Sequence, residues 1–160
     1  MIEIYPAETN DIADIVNLSC RLFEIHRNID PEYYQASADY NAKIRTWAEQ
    51  QVNSPSQFLL VARDSQSKKA VGFISGYIKF LFPWYKIKSV GHISFLSVDP
   101  EWQKKGIGKQ LNYEAEKWFS ERGQKYIEVF ANIENSAGVA AWKKYGYLPF
   151  NKMFRKKIRS

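Results

Sequence analysis

Two hydrophobic periods alternate along the chain. Ile2, Ile4 and Tyr5 predict a short first strand. Thr9 is placed to cap a helix, and Asp11 in the first turn suits the positive helix end. Ile12, Ile15, Val16, Ser19, Leu22 and Phe23 then fall at helical spacing until Asp30-Pro31 breaks the pattern. Residues 39–52 predict a second, less amphipathic helix. Residues 57–63 read as a buried strand, 64–69 as a polar hairpin turn, and 71–82 and 90–98 as two further strands. Residues 106–122 predict a strong helix, with Ile107, Leu111, Ala115 and Trp118 on its apolar stripe. Lys109, Glu116, Lys117 and Glu121 form its polar face, and Gly123 stops it. A strand over 125–131 and a helix over 136–145, stopped by Gly146, follow. From Tyr147 onward the alternation predicts a last strand or two. The order β-α-α-β-β-β-α-β-α-β is that of a mixed α/β sheet: an antiparallel meander, then βαβ crossovers.

Composition narrows the class. The 160 residues argue for a single domain over 1–160, with no linker or repeat dividing them. With 45% hydrophobic and 16% aromatic residues the chain can build a core. The single cysteine, Cys20, excludes an internal disulfide and a multi-cysteine zinc site; it reads as a small buried hydrophobe. With only His26 and His92, no metal centre is expected. No stretch reaches the length of a bilayer span, so no membrane partner is expected. The opening Met1-Ile2-Glu3-Ile4 lacks the pattern of a signal peptide, and the expected location is cytoplasmic. The net charge of +6 suits an anionic ligand, either nucleic acid or a phosphorylated cofactor.

Leu96 through Lys109 carry the chemistry: a strand ends, a turn follows, two glycines arrive and a long helix begins. A helix N-terminus exposes unpaired N–H groups and partial positive charge. Glycines let phosphate oxygens approach the backbone, and Lys104, Lys105 and Lys109 add full charges. The arrangement suits a pyrophosphate. It is neither a P-loop, since Gln110 follows Gly108-Lys109, nor a dinucleotide fingerprint, since Leu111 stands at the third glycine.

Gln103-Lys104-Lys105-Gly106-Ile107-Gly108 resembles the Gln/Arg-x-x-Gly-x-Gly/Ala signature of the Gcn5-related N-acetyltransferase superfamily. Asn135, Gly138, Trp142, Gly146 and Tyr147 stand at the offsets of that family's second landmark, Asn-x-x-Ala-x-x-x-Tyr-x-x-x-Gly-Phe. The resemblance covers nearly the whole chain in element order. It implies a central, mostly antiparallel mixed sheet flanked by about four helices. It also implies acetyl-CoA as acetyl donor, no metal, and direct acetyl transfer to a primary amine.

Residue by residue, the resemblance implies that Leu96 and Val98 offer backbone groups to the pantetheine arm. Gln103, Lys104, Lys105, Gly106, Ile107, Gly108 and Lys109 would hold the pyrophosphate, and Asn135 would contact the cysteamine end. The family's proton-donating tyrosine is here Trp142, whose indole is no useful acid. The frequent glutamate on the strand before the loop is here Ser94. His92, two residues earlier, is a candidate base acting through Ser94 or a water; Glu128 on the next strand is its rival. The first helices wall the acceptor site in relatives, which makes His26 and Tyr33 substrate candidates. Both fit an ordinary surface equally well.

Tyr85 belongs to the string from Phe80 to Tyr85, which reads either as an acceptor-site lip or dimer contact, or as a segment buried under the first helices. The tail 152–159 reads as a solvated strand, and with no nucleic-acid motif beside it no nucleic-acid partner is expected. The acceptor is a small-molecule or peptide amine: a polyamine, an antibiotic amine, an amino acid or a peptide N-terminus. Glu24, Asp30, Glu32 and Asp39 are placed to attract a cationic one. Homodimers are frequent in the family, which makes a second copy a further partner. Ser94 and Trp142 keep open an alternative, an acyl-CoA-binding module without turnover.

Overall fold

The computed structural model describes residues 1–52 and 54–158. Its elements are β1 (Ile2–Pro6), α1 (Ile12–Ile29), α2 (Tyr40–Val52), β2 (Gln57–Asp64), β3 (Ala70–Phe80), β4 (Ser89–Val98), α3 (Ile107–Glu121), β5 (Ile127–Val129) and α4 (Ser136–Lys144). Short 3-10 turns at Thr9–Asp11 and Pro100–Trp102 precede α1 and α3. The strands form one sheet in the order β1-β2-β3-β4-β5. The first three pairings are antiparallel, and β4 with β5 is parallel. This is the mixed α/β sheet with four helices that the sequence predicts. None of the helices is long and apolar enough to cross a membrane among the described residues.

The sheet separates two cores. On one face α1 and α2 pack Ile12, Ile15, Leu18 and Ala48 against Leu59, Val61 and Phe73. On the other, α3 packs Ile107, Leu111, Ala115 and Phe119 against Leu60, Ala62, Ile74 and Ile93. Leu59 to Ala62 is apolar on successive residues because both faces of β2 are covered.

The start of α1 differs from expectation. Thr9 does not cap it: the turn opens at Glu8, whose backbone N–H donates to Asp11 Oδ2 at 2.8 Å. Asp11 is buried and accepts from Arg63 Nη2 at 2.6 Å, so it ties the helix start to β2. Thr9 is already inside the first turn, which leaves the extended Glu8 as the partner of Asp11 in the capping box.

The tail is also corrected. No residue from 148 to 158 is in a strand. Leu148, Phe150, Met153, Phe154 and Ile158 all stand at least 80% exposed. β5 pairs over only three residues, so it offers a short ladder for another strand. The tail instead folds back to the α1–α2 connection, where Arg155 meets Asp30 and Lys157 meets Glu32, each at 2.6 Å. Arg159 lies outside the described residues.

Candidate functional site

The site begins at a fault in the sheet. Along the β3–β4 pairing, Ser75 faces Phe95 while Gly76 faces Ile93, so Ser94 is an extra, unpaired residue. Such a bulge bends its strand. The β4–β5 pairing runs only from Gly91↔Ile127 to Ile93↔Val129. Beyond the bulge, Ser94 to Val98 has no partner on the β5 side, and the two strands diverge. Leu96 and Val98 lie on this open stretch of β4.

The open edge leads into the turn before α3. Asp99 accepts from the Glu101 N–H at 3.0 Å and pairs with Arg21 of α1, which fixes the strand end. Lys104 and Gly106 both have left-handed backbones, with φ of 59° and 82°. The first N–H of α3 to reach a carbonyl is that of Gln110, on Gly106 O at 3.1 Å. The Lys105 N–H closes the turn at 103–104, while the N–H groups of Lys104 and of residues 106–109 have no backbone hydrogen-bond partner among the described residues. Left-handed residues in a turn with free N–H groups at a helix start form a concave anion-binding nest. Lys104, Lys105 and Lys109 surround it, and the Lys105 ammonium rests over the Trp102 ring at 4.5 Å.

Gln103 differs from its neighbours. Its N–H donates to Pro100 O at 3.3 Å and its side chain donates to Val98 O at 3.1 Å. It braces the strand end and so leaves the nest to residues 104–109. Asn135 caps α4: its Oδ1 accepts from the Gly138 N–H at 3.0 Å, leaving its side-chain NH₂ as a donor. A Cβ added at Gly138 would lie 2.7 Å from that NH₂. Trp142 packs into the α3-side core, with its ring edge-on to Tyr145 and Tyr147 at 5.8 and 5.2 Å.

At the closed end of the divergence stands His92. The neighbouring Gly91 faces α3, since a Cβ there would lie 2.7 Å from the Phe119 ring. His92 therefore points to the α1–α2 face. Its register partners are Tyr77 on β3 and Glu128 on β5. Its ring packs between Tyr77 at 5.0 Å and Phe130 at 5.3 Å. Burial pushes the His92 imidazole below its ordinary pKa; nearby Lys79 adds to this, and Glu128 opposes it. The carboxylate of Glu128 is held by Lys79 Nζ at 2.9 Å. The structure thus brings His92 and Glu128 together, with Ser94 exposed at the adjoining bulge.

The wall of this face comes from α1, α2 and the segment between them. Ser97 Oγ donates to Leu18 O of α1, and the Phe95 ring meets Trp47 of α2 at 5.3 Å. His26 Nδ1 lies 3.0 Å from Leu22 O, and its ring packs on Tyr34. Asn132, just past β5, donates to Tyr34 Oη at 3.3 Å and links the α1–α2 segment to the far side of the opening. Tyr33 is 60% exposed and lies under the Arg155 guanidinium. Tyr85 joins Phe82 and Trp84 in an exposed cluster at the β3–β4 turn, so burial of that string under the first helices is excluded. Each acidic residue placed to attract an acceptor already has a cation: Glu24 has Arg27, Asp30 has Arg155, Glu32 has Lys157 and Asp39 has Lys43.

Sequence reasoning missed Lys79, Tyr77 and Phe130. Their alternation was visible, but which of them face His92 depends on the register set by the β3–β4 turn and on the short β4–β5 ladder.

A family model described as the acetyltransferase (GNAT) family matches residues 19–147. An uncharacterized N-acetyltransferase of Methanocaldococcus jannaschii is 25% identical over 145 residues, 86% of this chain. The chain spans 57% of that relative's length. An aminoglycoside 6'-N-acetyltransferase from Acinetobacter baumannii superposes with a TM-score of 0.78 at 16% identity, covering 100% of this chain and 99% of that one. Another aminoglycoside N-acetyltransferase, solved in complex with CoA, gives 0.77 at 14% identity over 100% of this chain and 96% of that one. These two likenesses establish the fold, and the family match goes further: this chain belongs to the GNAT acetyltransferase family.

Proposed function

We propose that this protein is an acetyl-CoA-dependent N-acetyltransferase that moves an acetyl group directly to a primary amine. One observation carries the reading. The unpaired edge of β4 from Ser94 to Val98 leads, through the turn at Pro100–Trp102, to the free N–H groups of Lys104 and residues 106–109. An extended, amide-bearing arm that ends in a pyrophosphate matches that sequence of donors. Leu96 and Val98 would line the arm. Lys104, Lys105, Gly106, Ile107, Gly108 and Lys109 would cradle the pyrophosphate, and Asn135 would donate from its NH₂. Gln103 supports the cradle through Val98.

The thioester then lies near the closed end of the divergence, beside His92. An ammonium must lose a proton before it can attack. An imidazole held below its ordinary pKa is neutral near pH 7 and free to take it. Glu128, bound to Lys79, tunes that imidazole, which favours His92 over Glu128 as the base. The amine nitrogen forms its bond to the carbonyl carbon, the C–S bond breaks, and the CoA thiolate departs. Trp142 packs as a core residue, so the thiolate takes its proton from water.

The acceptor is a small-molecule or peptide amine that enters over Tyr33, Tyr34 and His26. With its acidic neighbours already paired, this wall does not single out a polycation. The test is CoA-thiol release from acetyl-CoA across polyamines, amino acids, aminoglycosides and peptide N-termini. Acceptor-dependent release supports the reading. Tight CoA binding with no release from any amine supports the second one, an acyl-CoA-binding module, which the packing of Trp142 favours.

A further inference from the structure

Two buried polar atoms have no hydrogen-bond partner among the described residues: Ser75 Oγ and His92 Nδ1. Ser75 is 1% exposed and His92 7%. A buried polar group without a partner destabilises a fold, so each of the two needs an explanation.

They are on the same face. Phe73, Ser75, Tyr77 and Lys79 alternate along β3, and Phe73 belongs to the core under α1 and α2. Tyr77 is the direct partner of His92. Ser75 is thus the diagonal neighbour of His92, where side-chain origins lie roughly 7–8 Å apart. Across such a span a single water with two hydrogen bonds can bridge two side-chain polar atoms.

The two imidazole nitrogens also differ. Nδ1 is sealed, whereas Nε2 is not among the buried unpartnered atoms. A neutral imidazole has one donor nitrogen and one acceptor. To take a proton from an amine at the open side, Nε2 must be the acceptor, and Nδ1 must carry the hydrogen. That hydrogen needs an acceptor, and Ser75 Oγ is the other buried side-chain atom without a partner among the described residues.

We infer that Ser75 is a positioning residue: through one buried water it accepts from His92 Nδ1–H, fixes that tautomer, and leaves the Nε2 lone pair facing the acceptor amine. Bases oriented by a third group recur in enzymes. Lys79 and Glu128 are the charged groups nearest the ring, and neither supplies the inner contact. The inference rests on His92 as base, but its structural half stands alone.

With only two histidines in the chain, ¹⁵N-labelled imidazole spectra resolve both, and His26→Gln assigns them. The tautomer is read in the wild type, Ser75→Ala and Ser75→Thr, with thermal melting to verify folding. The expected wild-type tautomer is Nδ1–H. In Ser75→Ala the Nε2–H form grows, and kcat falls about tenfold, part of the roughly hundredfold worth of a general base. KM for acetyl-CoA stays within about twofold. Ser75→Thr, which keeps the hydroxyl, restores both. A wild-type His92 mainly in the Nε2–H form, or a tautomer ratio unchanged in folded Ser75→Ala, overturns the inference. These spectra need no turnover, so a failure of the acetyltransferase reading is separately visible as absent thiol release.

Discussion

The hydroxyl of Tyr145 lies so close to Gly108 that a Cβ at Gly108 would sit 2.5 Å from Tyr145 Oη. The two glycines at the start of α3 are therefore glycine for different reasons. Gly106 holds a left-handed backbone at φ 82°. Gly108 is bare because the end of α4 presses a phenol against the first turn of α3. Gly108→Ala should lose about 1–2 kcal/mol through this overpacking. In the Tyr145→Phe background, where the remaining ring carbon would be 3.6 Å from the new Cβ, most of that loss should vanish. Urea unfolding of the four proteins measures the coupling; additive effects would mean that the contact is not what restricts Gly108.

The environment of His92 fixes the direction of the pH dependence. Its pKa is lowered by burial and by Lys79, against Glu128. The active form is neutral, so kcat/KM should rise with pH through a midpoint below about 6.5 and then level off. Lys79→Met removes a lowering charge and should move the midpoint up. Glu128→Gln removes a raising charge and should move it down. His92→Ala should cost roughly a hundredfold and abolish this limb. A midpoint that ignores both charge changes would remove His92 from the base role.

The same shift acts on stability. A folded-state pKa below the unfolded value means that the unfolded chain binds the extra proton first as pH falls. His92 therefore makes stability rise with pH from its lowered folded value up to about 6.5, the unfolded value. Comparing the wild type with His92→Phe by urea unfolding at pH 5 and pH 7.5 tests this: the variant should lack most of the increment. An equal increment in both would place its source elsewhere.

Asp11 offers a test remote from the site. It is 2% exposed and held by Arg63 at 2.6 Å. Asp11→Ala should destabilise the fold by about 3 kcal/mol, because it leaves the half-buried Arg63 guanidinium with only the exposed Glu8 carboxylate at 3.7 Å and unties α1 from β2. Denaturant unfolding checks the loss, and a change below about 0.5 kcal/mol would show that the pair is solvated.

Much of this architecture was legible in the sequence, for physical reasons. α3 was readable from Ile107, Leu111 and Ala115, because one buried stripe against a sheet forces a helical period. The nest was readable because left-handed backbones favour glycine, and Gly106 stands before the helix. The tail misled because alternation reports only a tendency, and a strand also needs an edge; β5 supplies three residues of one. Lys79 and Ser75 were invisible as neighbours of His92. Their proximity depends on register, which the β3–β4 turn sets beside His92 and the extra residue Ser94 shifts at Ser75, and neither leaves a pattern in the sequence. The brace from Gln103 to Val98 was equally hidden, since a side-chain bond to a nearby carbonyl looks like any motif glutamine.

The central claim is that the open edge of β4 and the nest at 104–109 together hold an acyl-CoA. Calorimetric titration with acetyl-CoA, CoA and an analogue lacking the pyrophosphate tests it most directly. The account predicts micromolar binding of the first two and at least a hundredfold loss with the third, about 2.7 kcal/mol or more. Equal binding of all three would contradict the role of the nest, and no binding of either CoA species would contradict the cofactor itself.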